Sequence, residues 1–407
     1  MNKKLLKIFL SVMIFALISV FFFTGCFSKA VQKAAESIVA ESLAAEQSGA
    51  VPDTTAQVEE TTAVPVETAA QYQLTGKDLV ILTQPAVCFV VTYYSAYVYD
   101  PQQNDYYGPY YSNIYYGTGF CINPGTGHIM TAGHVVDIPE VDVKWKILDD
   151  HVWEVYGADA YYDLTDADWT WIYNNYKVVG ETSDTYMDRE VWVQFNTATS
   201  GLADSSNAQY MRAEIIDSSP WEQRDIAIIR IQSITGGALS SVLLSDSSMM
   251  EVQDDITIIG YPYTSDIGQD NPMNPTVTTG RVSGKMIWGG TEVLQVQGDA
   301  RQGNSGGPVL NSNGMVIGML TMGTDDTNNF LRPSSDLKVM INKNGIENIL
   351  GMVDEEFKKG LINYRMGNYQ DAINNFNAVL NLNQKHLLAQ EYRSKAQSGA
   401  TSTTTSQ

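Results

Sequence analysis

Ser305 stands in the run Gly303-Asn304-Ser305-Gly306-Gly307-Pro308, where residues that turn the chain sharply flank one hydroxyl. Glycines there allow positive φ and let a substrate backbone come close. Gly303 would turn its own N–H toward the space beside Ser305, and with the Ser305 amide it forms a two-donor cradle for a developing oxyanion. Donors of that kind are each worth roughly 3–4 kcal/mol in a transition state. An alcohol is a weak nucleophile until a base takes its proton. Of the four histidines, His134 in Thr131-Ala132-Gly133-His134-Val135 is best suited. His128 follows a turn, His151 sits in an acidic segment, and His386 lies among C-terminal helical residues. Histidine is the side chain whose ordinary pKa already lies near working pH. Asp225 heads the apolar run Asp225–Ile231, where a carboxylate can accept from the imidazole Nδ1–H and stabilise the imidazolium. Asp188, Asp204 and Asp217 are its nearby competitors.

These residues need strands to hold them. Pro85–Tyr94 is β-rich and reads as a first core strand, and Gly117–Ile122 as the next, with turn residues at Asn123–Gly127. Tyr97–Tyr116 is dense in tyrosine, Asp, Asn, Gly and Pro and predicts a long, solvent-facing hairpin loop. The unbroken apolar character after Asp225 predicts a buried strand. Ile256–Tyr263, Thr278–Gly284, Val293–Gln297 and Met315–Leu320 supply strands in the second half, the last two flanking the serine loop. Between His134 and Asp225, residues 155–190 form an insertion with Trp169, Trp171 and several tyrosines among aspartates. Thr165 followed by Asp168 predicts the cap of a short helix there. The aromatic cluster is either a recognition surface or a satellite core under a loop.

The order His134, Asp225, Ser305 is that of the chymotrypsin arrangement. Gly117-Thr118-Gly119-Phe120, a short turn and Thr131–Val136 closely resemble trypsin-like serine peptidases, above all the bacterial HtrA-type and glutamyl-endopeptidase-like branch. Gly260-Tyr261-Pro262 and Thr278–Gly284 resemble further strands of that family, and the resemblance covers about residues 80–345. It implies a mainly β fold, a double six-stranded β-barrel of the chymotrypsin type over residues 75–350, and a serine endopeptidase needing no metal or cofactor. It also implies His134, Asp225 and Ser305 as catalytic residues and Gly303 and Ser305 as the oxyanion hole. Thr321-Met322-Gly323 becomes a wall for substrate, and Thr321 and Gly323 join Asp299 as substrate-binding candidates. Asp299 lies six residues before Ser305, the offset at which trypsin selects Arg or Lys. HtrA-type relatives use a longer spacing and prefer small apolar residues, so a structural Asp299 stays open.

The rest bounds the setting. Residues 1–25 carry a basic start and an apolar run, Ile8–Phe23, of a signal peptide. Thr24-Gly25-Cys26 resembles the lipobox of bacterial lipoproteins, which implies lipidation at Cys26, membrane anchoring and an extracytoplasmic place in the cell envelope. Residues 26–74 read as a flexible tether with a reach of roughly 40 Å. With 46 acidic and 25 basic residues the net charge is −21, which argues against nucleic acid as a partner. The three cysteines make no disulfide framework, and Cys88 and Cys121 read as two buried thiols or a bridged pair. Residues 351–397 form a helical hairpin in which Glu356–Ala389 resembles one tetratricopeptide repeat, and residues 398–407 a polar, disordered tail. A single repeat cannot cover both its faces, so it docks on the barrels, pairs with a copy or meets a protein partner. The rival to a peptidase acting on protein or peptide substrates is a silent or partner-activated scaffold that binds through the aromatic insertion and the repeat.

Overall fold

The computed structural model describes residues 72–181, 187–195, 209–231, 238–262, 275–323 and 328–405. Residues 1–71, with the export segment, Cys26 and nearly all of the tether, lie outside the described residues. No described helix is long and apolar enough to cross a membrane.

After a short helix α1 (Lys77–Thr83), strands β1 (Val87–Asp100), β2 (Asp105–Asn123), β3 (His128–Thr131), β4 (Lys177–Val179), β5 (Asp188–Phe195), β6 (Gln209–Ser219) and β7 (Ile226–Ile231) follow. They pair in the order β2-β3-β7-β6-β5-β1, and β1 pairs back with β2, closing a six-stranded barrel. Every ladder in it is antiparallel. The inward residues Val90, Phe120, Ile122, Ile129, Val193 and Ile229 are buried, as period-2 alternation demands. A second barrel closes in the order β10-β13-β12-β11-β8-β9. Its strands are β8 (Asp255–Gly260), β9 (Thr276–Trp288), β10 (Thr291–Gly298), β11 (Pro308–Leu310), β12 (Val316–Gly323) and β13 (Asn328–Pro333). Ile258, Val282, Leu294, Val296, Ile317 and Leu331 fill it. The first barrel's core runs on into Ile259, Tyr261, Leu310 and Met319 of the second. Two closed barrels on one continuous apolar contact are the chymotrypsin type of architecture.

Tyr97–Tyr116 is not a loop. β1 and β2 stay paired to their tip, with Tyr99 opposite Tyr106 and Asp100 opposite Asp105, and β4 adds to the outer half of β1. A two-stranded ribbon is marginal alone, and helices cover this one. After the short α2 (Gly133–Val136), α3 (Glu140–Asp163) lays Val143, Ile147, Leu148 and Val152 on Tyr94, Ala96, Val98 and Tyr110 of the ribbon. α4 (Asp166–Asn175) follows, with Thr165 and Asp168 forming the reciprocal cap that their spacing predicts. The helical segment thus begins at Glu140, ahead of the aromatic stretch; Tyr156, Tyr161, Trp169, Tyr173 and Tyr176 join a satellite core, while Trp153, Tyr162 and Trp171 stay exposed. His151, fully buried, meets the Tyr110 hydroxyl at 2.9 Å and Asp100 at 3.3 Å. Burial holds its pKa below the usual 6.5 despite that carboxylate, as befits a structural histidine.

Past the barrels, α5 (Ser334–Lys343) closes one end, and three helices follow rather than two: α6 (Met352–Arg365), α7 (Tyr369–Leu382) and α8 (Leu387–Thr405). Phe357, Leu361, Phe376, Val379 and Tyr392 form their core, and α1 with Leu74 covers another side. Asp78 of α1 pairs with Arg365 at 2.5 Å. Asp354 takes the Ser241 amide at 3.1 Å and its hydroxyl at 2.9 Å, tying α6 to the first-barrel side. Residues 398–405 continue α8 instead of trailing as a tail, with Ser398 and Thr401 hydroxyls returned to carbonyls one turn back. Cys88 and Cys121 are both free and buried.

Candidate active site

β3 and β7 are hydrogen-bonded neighbours, with Thr131 opposite Ala227. The turn that leaves β3 therefore meets the residue that enters β7, and this places His134 against Asp225. The imidazole Nδ1 lies 3.0 Å from Asp225 Oδ1 and 2.9 Å from Oδ2, and the His134 main-chain N–H donates to Oδ1 at 2.9 Å. Gly133 is required here, because a Cβ would stand 2.3 Å from the Ser219 carbonyl oxygen. Thr92 donates its hydroxyl to the Val135 carbonyl at 2.7 Å and pins the turn from β1. Asp225 is 3 % exposed, whereas the His134 side chain keeps 39 % of its surface open toward solvent. Desolvation opposes protonation of the imidazole, but the Asp225 charge and hydrogen bond outweigh it, and the pKa rises above 6.5.

Asp225 has φ +53°, a left-handed conformation uncommon for a residue with a side chain. Its own amide and that of Gln223 both bond to the Pro220 carbonyl, at 3.1 and 3.0 Å. Arg332 of the second barrel grips the same loop from behind. It donates to the Gln223 carbonyl at 2.5 Å and to Thr291 Oγ1 at 2.7 Å while almost wholly buried.

Ser305 lies on the loop from β10 to β11. Arg301–Asn304 is a turn closed by the Asn304 N–H on the Arg301 carbonyl at 3.0 Å, with Gly303 at φ +97° in its third position. Positive φ there defines a type II turn and calls for glycine. Among the described residues, no acceptor pairs with the amide of Gly303 or of Ser305. The serine hydroxyl donates to the Thr321 carbonyl at 3.0 Å. The serine loop packs on the histidine turn: a Cβ on Gly306 would come within 2.6 Å of Thr131 Oγ1 and 2.9 Å of the Ala132 nitrogen. A Cβ on Gly117 would touch both Val135 and the Ser305 carbonyl oxygen, at 2.6 and 2.7 Å.

Of the substrate-wall residues, Thr321 is buried on β12 and in contact with Ser305, and Gly323 ends that strand. Asp299 directly follows the end of β10. Its exposed carboxylate pairs with Arg301 at 3.4 Å. It lines a hollow of about 750 Å³ with Asp255, Arg281, Gln297 and Ser312, a lining that does not include Ser305. Thr118 and Arg332 carry contacts that reading the sequence passes over. The one signal for Thr118 was its place in Gly117-Thr118-Gly119-Phe120, and Arg332 carries no motif at all.

Residues 117–319 match the family model described as the trypsin-like peptidase domain. Magnetosome formation protease MamE of Paramagnetospirillum magneticum is 34 % identical over 126 residues, 30 % of this chain and 16 % of that protein. Protease Do-like 5, chloroplastic, of Arabidopsis thaliana is 31 % identical over 127 residues, 30 % of this chain and 36 % of its own length. Periplasmic pH-dependent serine endoprotease DegQ of Escherichia coli is 33 % identical over 100 residues, 25 % of this chain and 21 % of that protein. The chain thus spans about a third or less of the length of these relatives. Together the matches place the similarity of this chain with trypsin-like serine peptidases of the HtrA type.

Proposed function

We propose that the chain is a serine endopeptidase that hydrolyses peptide bonds in extracytoplasmic proteins through Ser305, His134 and Asp225. The observation that carries this reading is the double contact of Asp225 with the His134 imidazole and main chain, beside the loop that bears Ser305. Ser305 Oγ attacks the scissile carbonyl as His134 Nε2 takes its proton, and Asp225 holds the tautomer that leaves Nε2 free to do so. The new oxyanion is held by the Gly303 and Ser305 amides. Collapse expels the amine, which takes the proton from His134 and leaves an acyl-enzyme. Water, deprotonated by the same imidazole, then releases the acid and restores Ser305. Substrate lies extended along the end of β12, pairing its backbone with Thr321 and Gly323. A lipid on Cys26 tethers the enzyme to its membrane, and Glu356–Ala389, which carries most of α6 and all of α7 and resembles one tetratricopeptide repeat, offers a surface for a protein partner.

The test is hydrolysis of a proteome-derived peptide library by the purified mature protein. Cleavage that vanishes in Ser305→Ala is expected, and undiminished cleavage by that variant defeats the proposal. A second reading takes its cue from the Ser305–Thr321 bond: the serine rests turned toward β12 and is re-aimed on His134 when a substrate or partner backbone occupies the Thr321 carbonyl. A non-cleavable peptide that accelerates active-serine modification would favour it, and one that only slows modification would count against it.

A further inference from the structure

We propose that Thr118 is a positioning residue for the oxyanion cradle, reaching from the first barrel to hold the peptide planes that set the Gly303 and Ser305 amides. The inference rests on the reading of Ser305 as nucleophile and deepens it. Thr118 is fully buried on β2 and uses every polar atom it has. Its N–H donates to the Ser305 carbonyl at 2.8 Å, and its hydroxyl donates to the Gly303 carbonyl at 2.8 Å. The same hydroxyl accepts from the Tyr261 N–H at 2.9 Å, and its carbonyl accepts from Thr131 Oγ1 at 2.7 Å.

The serine loop shows what those bonds do. The Arg301–Gln302 plane is held by its carbonyl in the turn bond from Asn304, and the Asn304–Ser305 plane by the Gly307 N–H on the Asn304 carbonyl at 2.9 Å. The Ser305–Gly306 plane is held at both ends, by Thr118 N–H and by the Gly306 N–H on the Leu320 carbonyl at 2.7 Å. That leaves the Gln302–Gly303 plane, which carries the first oxyanion donor. Type I and type II turns share the closing bond and differ by a flip of this central plane, and glycine can adopt either φ. The carbonyl on the far side of Gly303 is fixed by the Thr118 hydroxyl. Removing that hydroxyl leaves the plane beyond Gly303 held only by the closing bond of Asn304, which both turn types satisfy. The flip then turns the Gly303 N–H out of the cleft. The same removal also takes from the buried Gly303 carbonyl the donor that the Thr118 hydroxyl supplies.

The experiment compares the mature wild type with Thr118→Val, which keeps the shape, and Thr118→Ser, which keeps the hydroxyl. The substrate is the best peptide amide from the library, and the probe of the cradle is the matching peptide trifluoromethyl ketone. Thr118→Val should lower kcat by about 10- to 100-fold with KM within about three-fold, since a lost oxyanion donor acts on the transition state. Inhibition by the ketone should weaken by the same factor as kcat/KM, and Thr118→Ser should stay within about three-fold of wild type. Should Thr118→Val fail to fold, Thr118→Ser against Thr118→Ala is a second pair differing in the hydroxyl. The proposal is overturned by a Thr118→Val kcat within about two-fold of wild type, by a loss confined to KM, or by a Thr118→Ser as impaired as the valine variant. An active wild type, a dead Ser305→Ala and an unaffected Thr118→Val would remove this inference alone. A Ser305→Ala as active as wild type would remove the reading beneath it.

Discussion

A buried carboxylate behind an imidazole fixes the protonation chemistry of His134. Its raised pKa means that the neutral, basic form is lost as pH falls through a midpoint above 6.5. The acid limb of kcat/KM is therefore expected above that value. In the Ser305→Ala background, the His134 ring protons should titrate above 6.5 by NMR, and Asp225→Asn should move the midpoint down. A midpoint unchanged by that substitution would contradict the electrostatic role given to Asp225. Asp299 makes the opposite case. Its charge is met by Arg301 and lies in solvent, so peptides with Arg or Lys before the scissile bond should gain little over Ala or Val. A gain of a hundred-fold or more, about 2.7 kcal/mol, abolished by Asp299→Ala, would return it to the specificity pocket. His134, Asp225 and Ser305 were legible because each heads or follows a strand in a distinctive local run. Thr118 was not, because its partner Gly303 lies 185 positions away and only the closed barrels bring them together.

The elements that carry these residues depend on close backbone approaches. Gly306 has φ +88°, and a Cβ there would lie 2.0 Å from the Thr118 carbonyl oxygen. Gly157, at the bend of α3, has φ +78° but nothing within 4 Å of the added atom. Gly157→Ala should thus cost about 1–3 kcal/mol from the backbone strain of φ +78° and ψ 172° alone, and Gly306→Ala more, because a clash with backbone joins the strain. Thermal unfolding of the two variants checks this, and equal drops would mean that the serine loop is less constrained than its contacts indicate. The strands after His134 and Asp225 could be read from apolar runs with Gly and Pro at their ends. The helical insertion was harder, since Tyr, Trp and Asp dominate it and mask the stripe of Val143, Ile147, Leu148 and Val152 that follows helical spacing. The tyrosine ribbon was misread for the same reason. Turn-forming Asp, Asn, Gly and Pro suggested a loop, yet a helical cover supplied the packing that strands of this composition lack.

At the scale of the molecule, the helical module holds two buried groups with opposing pH responses, His386 within it and Asp354 where it meets Ser241. His386, 2 % exposed, accepts the Ala389 N–H on Nδ1, and burial pushes its pKa down to about 4. Its unfolded form takes up a proton near 6.5, so this group weakens the fold as pH falls from about 6.5 to about 4. Burial raises Asp354 to about 6, so the folded chain binds the extra proton between 3.8 and 6, and this group favours the fold as pH falls. The two largely offset one another in wild type. Asp354→Asn should leave the His386 effect unopposed, and its thermal midpoint should drop more steeply than wild type between pH 6.5 and 4. Parallel curves would show that neither group couples to unfolding as described. Two barrels could be expected from the strand runs and the family resemblance, but their joint depends on long-range contacts such as Arg332 to Gln223, which no local pattern announces. The account stands on that joint bringing one hydroxyl, one imidazole and one carboxylate into a single reacting group. A fluorophosphonate probe with mass-spectrometric localisation tests this most directly. The label should fall on Ser305 in wild type, be absent from Ser305→Ala and be strongly slowed in His134→Ala. A folded wild type that takes no label, or a label that persists in Ser305→Ala, would contradict it.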